Sequence, residues 1–341
     1  MRRILITMSI AAALFASCEQ DDEKLAPFRD DKTIKFGKVE TRAEVSSAND
    51  ILEFGVFAEM NLGADGTEDT IKYINLLSNE CVYRANASSD WSYDNKRYWV
   101  NDRTFHFFAV YPYMQGQVSA ATLTQNGEQY DGYKVDFETP SNANTDLMTA
   151  FKTEKTMISQ TEYPTINFQF GHALSKITFK VAKNPSNSSQ KIVVRNISLT
   201  NIKKNGIYSS SRNGNYIPNW EVNDDVMNIN QYNLNKELDT NGTIVATFLL
   251  IPQEIIENTI KLSVNYAYYG IDGVYAYENT ATANIPITDN IDKWDIASSY
   301  TYKITLAAEE NNILFGTPSV DVDGIWDEEN EKLVGGTIII Q

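Results

Sequence analysis

Short runs rich in Val, Ile, Thr, Tyr and Phe recur along the chain, separated by clusters of Asn, Gly, Pro and Ser. Apolar and polar residues alternate within these runs, so one face of each points to a core and the other to solvent. Helical patterns are scarce, and only 147–153 and 294–299 suggest a short turn. The chain is therefore predicted to be all-β, built from sandwiches or barrels. The predicted strands are 33–39, 52–58, 96–100, 105–111, 133–137, 165–170, 176–181, 192–199, 243–250, 260–268, 282–287 and 300–306.

The length of 341 residues favours two domains. The clearest break is the Pro-, Ser- and Asn-rich stretch 183–189, which lies between two strong strand patterns. We expect an N-terminal sandwich over 43–182, a C-terminal sandwich over 183–307 and a tail over 308–341, both sandwiches being of ordinary domain size.

Charge and cysteine content narrow the choice of partners and stabilising bonds. The formal net charge is −16, which repels phosphate backbones and argues against a nucleic-acid partner. The two cysteines, Cys18 and Cys81, are too few for a disulfide framework. Cys81 follows a β pattern and is expected to be a small apolar core residue.

The N-terminus has the charge-then-apolar order of a secretory signal. Arg2 and Arg3 precede an apolar run over 4–16, which is too short to span a bilayer comfortably. The run ends just before Cys18 in a stretch that resembles a bacterial lipobox, and acidic residues follow over 19–23. We expect 1–17 to be a lipoprotein signal peptide and Cys18 to carry the lipid. The alternative is an ordinary signal peptide.

No catalytic or metal-binding pattern stands out. His106 and His172 show no paired spacing, and nucleophile-elbow and phosphate-loop motifs are absent. Both histidines are expected to be structural, with no cofactor, no metal and no enzyme activity. Trp91, Trp99 and Trp220 could form a sugar-binding platform if exposed, but core packing is favoured.

Several segments taken together resemble fimbrillin-type pilus subunits of Bacteroidota, and they span nearly the whole chain. These segments are Thr41-Arg42-Ala43, Phe54-Gly55-Val56-Phe57-Ala58, the aromatic strand that ends in Tyr111-Pro112, Asp146-Leu147-Met148, the run from Phe168 to Lys176, Leu250-Ile251-Pro252-Gln253 and the run from Tyr300 to Leu306. The resemblance implies two tandem transthyretin-like β-sandwiches and export as a lipoprotein. It also implies that an arginine-specific surface protease removes a propeptide and its first strand.

In this sequence the resemblance points to cleavage between Arg42 and Ala43, which would release 18–42 as a lipidated propeptide. Ile34 and Phe36, with Lys38 as a further candidate, would form the buried face of the removable strand. Arg29 is a rival cleavage site that would free the protein from lipid and leave the strand in place.

The C-terminus offers a replacement strand. Residues 333–341 are apolar and β-prone after a Gly pair, and an unpaired segment of this kind is an aggregation hazard. It is a candidate donor to the next subunit, although it could equally pair within its own second sandwich. The candidate donor residues are Val334, Thr337, Ile338, Ile339 and Ile340.

The expected function is a structural pilus subunit that polymerises by strand exchange and supports adhesion. The expected partners are other pilin subunits, an arginine-specific surface protease and, before processing, the outer membrane. A lipid-retaining anchor subunit and a surface glycan-binding lipoprotein are the alternatives, and a hydrolase hidden in the sandwich is a third class.

Overall fold

The structure, a computed structural model, describes residues 32–41, 51–62, 73–212, 214–287, 291–307, 312–314 and 320–321. Within these ranges the regular elements are strands and one 3₁₀ turn, Pro185–Asn187, so the all-β prediction is confirmed. The strands of the first half are β1 (Lys35–Thr41), β2 (Glu53–Asn61), β3 (Tyr73–Tyr83), β4 (Thr104–Tyr111), β5 (Val118–Gln125), β6 (Glu128–Glu138), β7 (Met148–Lys155) and β8 (Thr165–His172).

The second half adds fourteen described strands. They are β9 (Ser175–Lys183), β10 (Lys191–Lys203), β11 (Asn205–Ser211), β12 (Asn219–Val222), β13 (Val226–Gln231), β14 (Lys236–Glu237), β15 (Thr243–Leu250), β16 (Gln253–Glu254), β17 (Lys261–Tyr269), β18 (Tyr275–Asn284), β19 (Lys293–Trp294), β20 (Ser299–Ala307), β21 (Asn312–Leu314) and β22 (Val320–Asp321).

The N-terminal sandwich is a six-stranded sheet, β1-β8-β7-β4-β2-β3, packed on a four-stranded sheet, β12-β11-β6-β5. Successive side chains of β4 point to opposite faces, as a pleated strand requires. Phe108 packs with Tyr133 between the two sheets, and Phe105 and Phe107 enter a second cluster on the other face. Because both faces of the central strands are covered, β4 is apolar almost throughout.

The C-terminal sandwich packs β13-β10-β17-β18 against β15-β9-β20-β21, with β14 beside β10 and β22 beside β20. Its core joins Ile192 and Leu262 from one sheet to Phe179, Phe248 and Tyr302 from the other. Burying one such side chain contributes roughly 1.5–3 kcal/mol. The two tandem sandwiches are therefore each held by a core of their own.

The expected border between residues 182 and 183 separates β9 from its partners and is corrected by the strand pairing. β9 pairs with β15 and β20, and its residues Ile177, Phe179 and Val181 lie in the C-terminal core. β11 pairs in turn with β6 of the N-terminal sandwich. The stretch 183–189 connects β9 to β10 at one end of the C-terminal sandwich. Turns between strands and linkers between domains are both rich in Pro, Ser and Asn, so composition alone does not distinguish them.

A junction forms where β8 leads into β9. The Trp220 indole N–H donates to the Ala173 carbonyl at 2.7 Å, and the Leu249 amide donates to the Ala143 carbonyl at 2.7 Å. Ala143 belongs to the C-terminal core although it follows β6. The two sandwiches therefore share hydrogen bonds and apolar contacts at this point.

Candidate functional site

Strand β1 lies at the edge of the six-stranded sheet and is the first element of the candidate site. It runs parallel to β8, with Lys35 beside Thr165 and Thr41 beside Phe170. A strand at this position is hydrogen-bonded to the sheet on one side and leaves its other backbone edge unpaired by the sheet. Its loss would leave the remaining five strands of the sheet in their existing order.

The buried face of β1 is apolar. Ile34, Phe36 and Val39 are all buried in the N-terminal core, and the first two are the residues expected there. Lys38 is exposed, so its assignment to this face is wrong. The register shifts between Phe36 and Val39, which shows a bulge, and the extra residue turns Val39 inward in place of Lys38.

The bulge depends on a glycine. A Cβ on Gly37 would lie 2.5 Å from Asn167 Oδ1 and 2.6 Å from Thr165 Cγ2, closer than real carbon atoms approach. The same Asn167 oxygen accepts a hydrogen bond from the Lys38 amide at 2.7 Å. Gly37 therefore lets the two strands approach closely enough for Asn167 to satisfy the bulged backbone.

Phe36 is the main anchor of β1. Its ring lies edge-on to Tyr93 at a centroid distance of 5.4 Å and to Phe54 and Phe107 at 6.4 Å. It stacks on Phe168 of β8 at 6.0 Å. Aromatic pairs in these geometries add to the gain from area burial. Removal of β1 would leave an empty slot lined by four aromatic rings.

The start of β1 is tied to the segment 93–99 by its backbone. The Ile34 amide donates to the Arg97 carbonyl at 2.8 Å, and the Trp99 amide donates to the Lys32 carbonyl at 2.8 Å. The Tyr93 hydroxyl donates to the Ile34 carbonyl at 3.0 Å. In place of the strand predicted over 96–100, the structure has an isolated bridge between Tyr98 and Thr33, just before β1.

An open groove of about 670 Å³ lies against β1. Its lining includes residues 36–41, Gln169 of the neighbouring β8, and Arg84, Asp90 and Trp91. The Arg84 guanidinium lies 4.4 Å from the Trp91 ring centroid, over its face. The groove therefore leaves open space beside β1, the strand that the resemblance makes removable.

Several predicted site residues lie outside the described residues. These are Cys18, Arg42, Ala43, Val334, Thr337, Ile338, Ile339 and Ile340, together with the rival cleavage site Arg29. Thr41, the last residue of β1, directly precedes Arg42 in the sequence and lies beside Phe170 at the junction end of β8. Lipidation, cleavage and strand donation therefore stay predictions.

The three tryptophans considered for a sugar platform pack against the protein. Trp99 is buried in the N-terminal core, and Trp91 packs on Phe54 at a centroid distance of 4.8 Å. Trp220 is half-buried against Phe137 and Tyr208, and its indole N–H donates to the Ala173 carbonyl at the junction. An exposed platform formed by these residues is therefore contradicted.

Cys81 is half-buried on the edge strand β3, where an apolar core residue was expected.

Both histidines have partners within the fold. His172 Nδ1 lies 2.7 Å from Asp146 Oδ2 in the protein interior. His106 Nδ1 lies 3.0 Å from the Thr153 hydroxyl, and burial, followed by the nearby Arg212 charge, lowers the pKa of His106 below its ordinary value. In the described ranges no cluster of three His, Cys, Asp or Glu side chains suits a metal ion.

A buried ion pair lies beside His106, between the two sheets of the N-terminal sandwich. Arg212 pairs with Glu59, and it also contacts Asp131 at 3.2 Å and the Tyr73 ring at 4.2 Å. Burial raises the pKa of Glu59, and the Arg212 charge opposes that rise. Burial also raises the pKa of Tyr133. The sequence pattern does not reveal this cluster, because its members come from distant strands.

A family model described as fimbrillin-like matches residues 41–321. The chain belongs to the fimbrillin-like family. This confirms the resemblance drawn from the sequence motifs. The matched range begins at Thr41, the last residue of β1. No curated protein matches the chain. Within the described residues, no helix is long and apolar enough to cross a membrane.

The chain is similar to solved structures of Bacteroides proteins. A fimbrial protein from Bacteroides vulgatus ATCC 8482 is 19% identical with a TM-score of 0.50, and the match covers 87% of this chain and 100% of that chain. A candidate cell adhesion protein from Bacteroides uniformis ATCC 8492 is 13% identical with a TM-score of 0.48, covering 87% and 99%. At 19% identity the likeness to the fimbrial protein concerns the fold alone.

Proposed function

We propose that this fimbrillin-like protein is a structural subunit of a cell-surface pilus that supports adhesion. Its family and the fimbrial protein of the same fold support this assignment. The observation that carries it is the position of β1, an edge strand whose apolar face fills the N-terminal core. A subunit built this way is completed by one strand that can be exchanged for another.

In the proposed scheme the chain is exported as a lipoprotein with its lipid on Cys18. An arginine-specific surface protease then cuts between Arg42 and Ala43, and β1 leaves with the propeptide. Departure of β1 uncovers the backbone edge of β8 and the slot that Phe36 fills. Unpaired backbone groups beside an apolar slot favour addition of a strand from another chain.

The replacement strand in this scheme is the C-terminal segment of the next subunit. This segment is apolar and β-prone after a Gly pair, and its candidate residues are Val334, Thr337, Ile338, Ile339 and Ile340. The chain leaves the last long strand, β20, at Ala307, which lies beside the end of β9. Residues 312–314 and 320–321 then pair antiparallel with β20, so this described part of the tail runs back along β20 from Ala307 to Thr301.

The partners that follow are other pilin subunits, the surface protease and the outer membrane before processing. The location is the cell surface, first the outer membrane and then the fimbrium. The fimbrillin-like family points to a structural protein, not an enzyme. The anchor alternative, in which β1 and the lipid are both retained, is decided by the cleavage experiment below.

The scheme is tested by treating the purified precursor with an arginine-specific protease, followed by N-terminal sequencing and electron microscopy. We expect a new N-terminus at Ala43 and filaments or detergent-resistant ladders. A matched Arg42→Gln precursor should stay uncut at this position and monomeric. A wild-type chain that resists cleavage there would favour the anchor role. A chain that is cut at Ala43 and stays monomeric would overturn the proposal.

A further inference from the structure

A pocket of about 470 Å³ opens where the loop between β6 and β7 meets the C-terminal sandwich. The Asn230 amide of the edge strand β13 donates to the Ser141 carbonyl of this loop at 3.0 Å. The volume is within the range of ligand pockets, roughly 300–1,000 Å³, and such pockets are common between domains. The lining residues are Asn142, Asn144, Asn230, Gln231, Tyr232 and Leu234.

Hydrogen bonds hold the walls of the pocket in place. The Gln231 side chain donates to the Thr247 carbonyl at 2.7 Å and to the Asn142 carbonyl at 3.4 Å, so it ties β13, β15 and the loop together. Within the loop, the Ala143 amide closes a turn by donating to the Pro140 carbonyl at 2.8 Å. The pocket is therefore formed before any ligand arrives.

Ala143 adopts an unusual backbone conformation in this turn. Its φ angle is 47°, in the left-handed region that residues other than glycine, asparagine and aspartate rarely enter. Its side chain is buried in the C-terminal core, and its carbonyl accepts from the Leu249 amide. Strained backbone persists where the surroundings impose it, and it clusters at ligand sites. The turn that presents Asn142 and Asn144 is thus fixed by the second sandwich.

The polar side chains of the pocket are available to a ligand. Within the described residues, the side-chain amides of its three asparagines and the Tyr232 hydroxyl have no hydrogen-bond partner. Each amide offers one acceptor oxygen and two N–H donors. The Tyr232 side chain is 64% exposed, so its ring is largely open to solvent.

The pocket differs from the rest of this acidic chain in its charge. Among the described residues no charged side chain lines it, although the chain has a formal net charge of −16. Phosphate and carboxylate ligands lack a partner there and are repelled by the whole chain. A purely apolar ligand would leave the amides unpaired. The chemistry that remains is that of a neutral molecule with several hydroxyl groups.

We propose that this pocket binds a neutral hexose unit of a glycan. Adjacent hydroxyls on a sugar ring each donate and accept, which matches the paired donor and acceptor of a side-chain amide. The C–H face of the sugar stacks on Tyr232, whose aromatic ring has an electron-rich face. Such a site would give the proposed adhesive subunit a ligand class, and to that extent it rests on the proposed function. β1 does not line the pocket, so the site is complete in the uncut precursor.

Saturation-transfer NMR on the purified, uncut precursor tests the site. The probes are the methyl glycosides of glucose, galactose and mannose, with sodium glucuronate as the charged counterpart. We expect saturation transfer to at least one methyl hexoside, with a millimolar Kd, because so small a ligand makes few contacts. Transfer to glucuronate should be at least several-fold weaker. No transfer to any of the three hexosides, or equal transfer to glucuronate, would overturn the proposal.

Two pocket variants locate the binding. Asn142→Ala removes one amide and Tyr232→Ala removes the stacking surface, and each should weaken hexoside binding roughly three- to tenfold. The matched controls are Asn75→Ala, on the edge strand β3, and Tyr275→Ala, at the start of β18. All four side chains are exposed, so the variants should retain their fold, checked by circular dichroism. Unchanged binding in both pocket variants, or equal losses in the controls, would contradict the placement.

Assembly after arginine-specific cleavage gives a separate readout. Tyr232→Ala should form filaments like wild type, because the β1 slot is intact. Wild-type chains that form filaments and bind no hexoside would overturn the hexose site and leave the pilus role. Chains that bind hexosides through Tyr232 and form no filaments would overturn the pilus role and leave the site.

Discussion

Oδ2 of Asp146 lies 2.7 Å from Nδ1 of His172, and both side chains are buried where β8 approaches the second sandwich. The two residues come from separate sequence motifs, one just before β7 and one at the end of β8. Next to them, the Ala173 amide donates to the Leu147 carbonyl at 2.8 Å. These bonds fix the start of one strand to the end of its neighbour at the junction.

Replacement of Asp146 should destabilise the protein strongly. Asp146→Ala removes the carboxylate from a buried imidazole nitrogen, and we expect the free energy of unfolding to fall by about 3 kcal/mol. Urea denaturation measures the change. The exposed pair Lys134–Glu221, separated by 3.5 Å, is the control, and Glu221→Ala should change stability by less than about 0.5 kcal/mol. Similar small losses in both variants would contradict a structural role for the buried pair.

Phe36 should be a main source of stability in the uncut precursor. Phe36→Ala empties space among four aromatic rings, and losses of about 3–5 kcal/mol accompany such truncations. Lys38→Ala, on the exposed face of the same strand, should stay within about 0.5 kcal/mol of wild type. Thermal or urea unfolding of the two precursors makes the comparison. Equal stability of the Phe36 and Lys38 variants would show that β1 adds little to the core.

Removing one partner of the pair Glu59–Arg212 should lower the free energy of unfolding strongly, whereas replacing both partners by apolar residues should lower it much less. Arg212→Met leaves the Glu59 carboxylate buried without its cation, with an expected loss of about 3–5 kcal/mol. Adding Glu59→Leu removes the stranded charge, and the double variant should recover most of that loss. Urea denaturation of the single and double variants provides the cycle. Losses that simply add would contradict coupling between these side chains.

His106 should make stability depend on pH. Its pKa in the folded protein is lowered, first by burial and then by Arg212, so protonation costs more in the folded than in the unfolded state. The contribution of neutral His106 to the free energy of unfolding is therefore complete above the unfolded pKa of about 6.5. It is lost as the pH falls through the lower pKa of the folded protein. Between about pH 7.5 and pH 5, wild type should lose more stability than His106→Gln.

The comparison with His106→Gln isolates this group from others that titrate nearby. Glu59 has a raised pKa, so its contribution is present at low pH and is lost as the pH rises, which is the opposite direction. Because Glu59 is present in both proteins, the difference between their unfolding free energies reports on His106. Parallel pH profiles in urea denaturation would contradict the assigned shift.

Most long core strands are predictable from short runs rich in β-branched and aromatic residues. The predictions 105–111, 165–170 and 300–306 coincide closely with β4, β8 and β20. The helical turn predicted at 147–153 is wrong, because this segment is β7, which is held between β4 and β8. β3 was not predicted, because this edge strand leaves much of its surface exposed and shows little apolar alternation.

The candidate site was predictable only in outline. The sequence places Ile34 and Phe36 on one face, but the choice of Val39 over Lys38 depends on a bulge stabilised by Asn167 from a distant strand. Gly37 is the only local sign of that bulge. The segment 93–99 likewise contacts the start of β1, which is far from it in sequence. Alternation alone therefore gives no indication of this contact.

Release of β1 is the central claim, and a reversible lock tests it most directly. Lys35 and Thr165 are exposed partners on adjacent strands, roughly 4.8 Å apart as sheet neighbours, which suits a disulfide. We would assemble Lys35→Cys/Thr165→Cys precursor in a Cys81→Ser background after arginine-specific cleavage, with and without reductant. Lys35→Cys alone is the control. Filaments that form only after reduction would support the account, whereas equal polymerisation of the locked protein under oxidising conditions would contradict it.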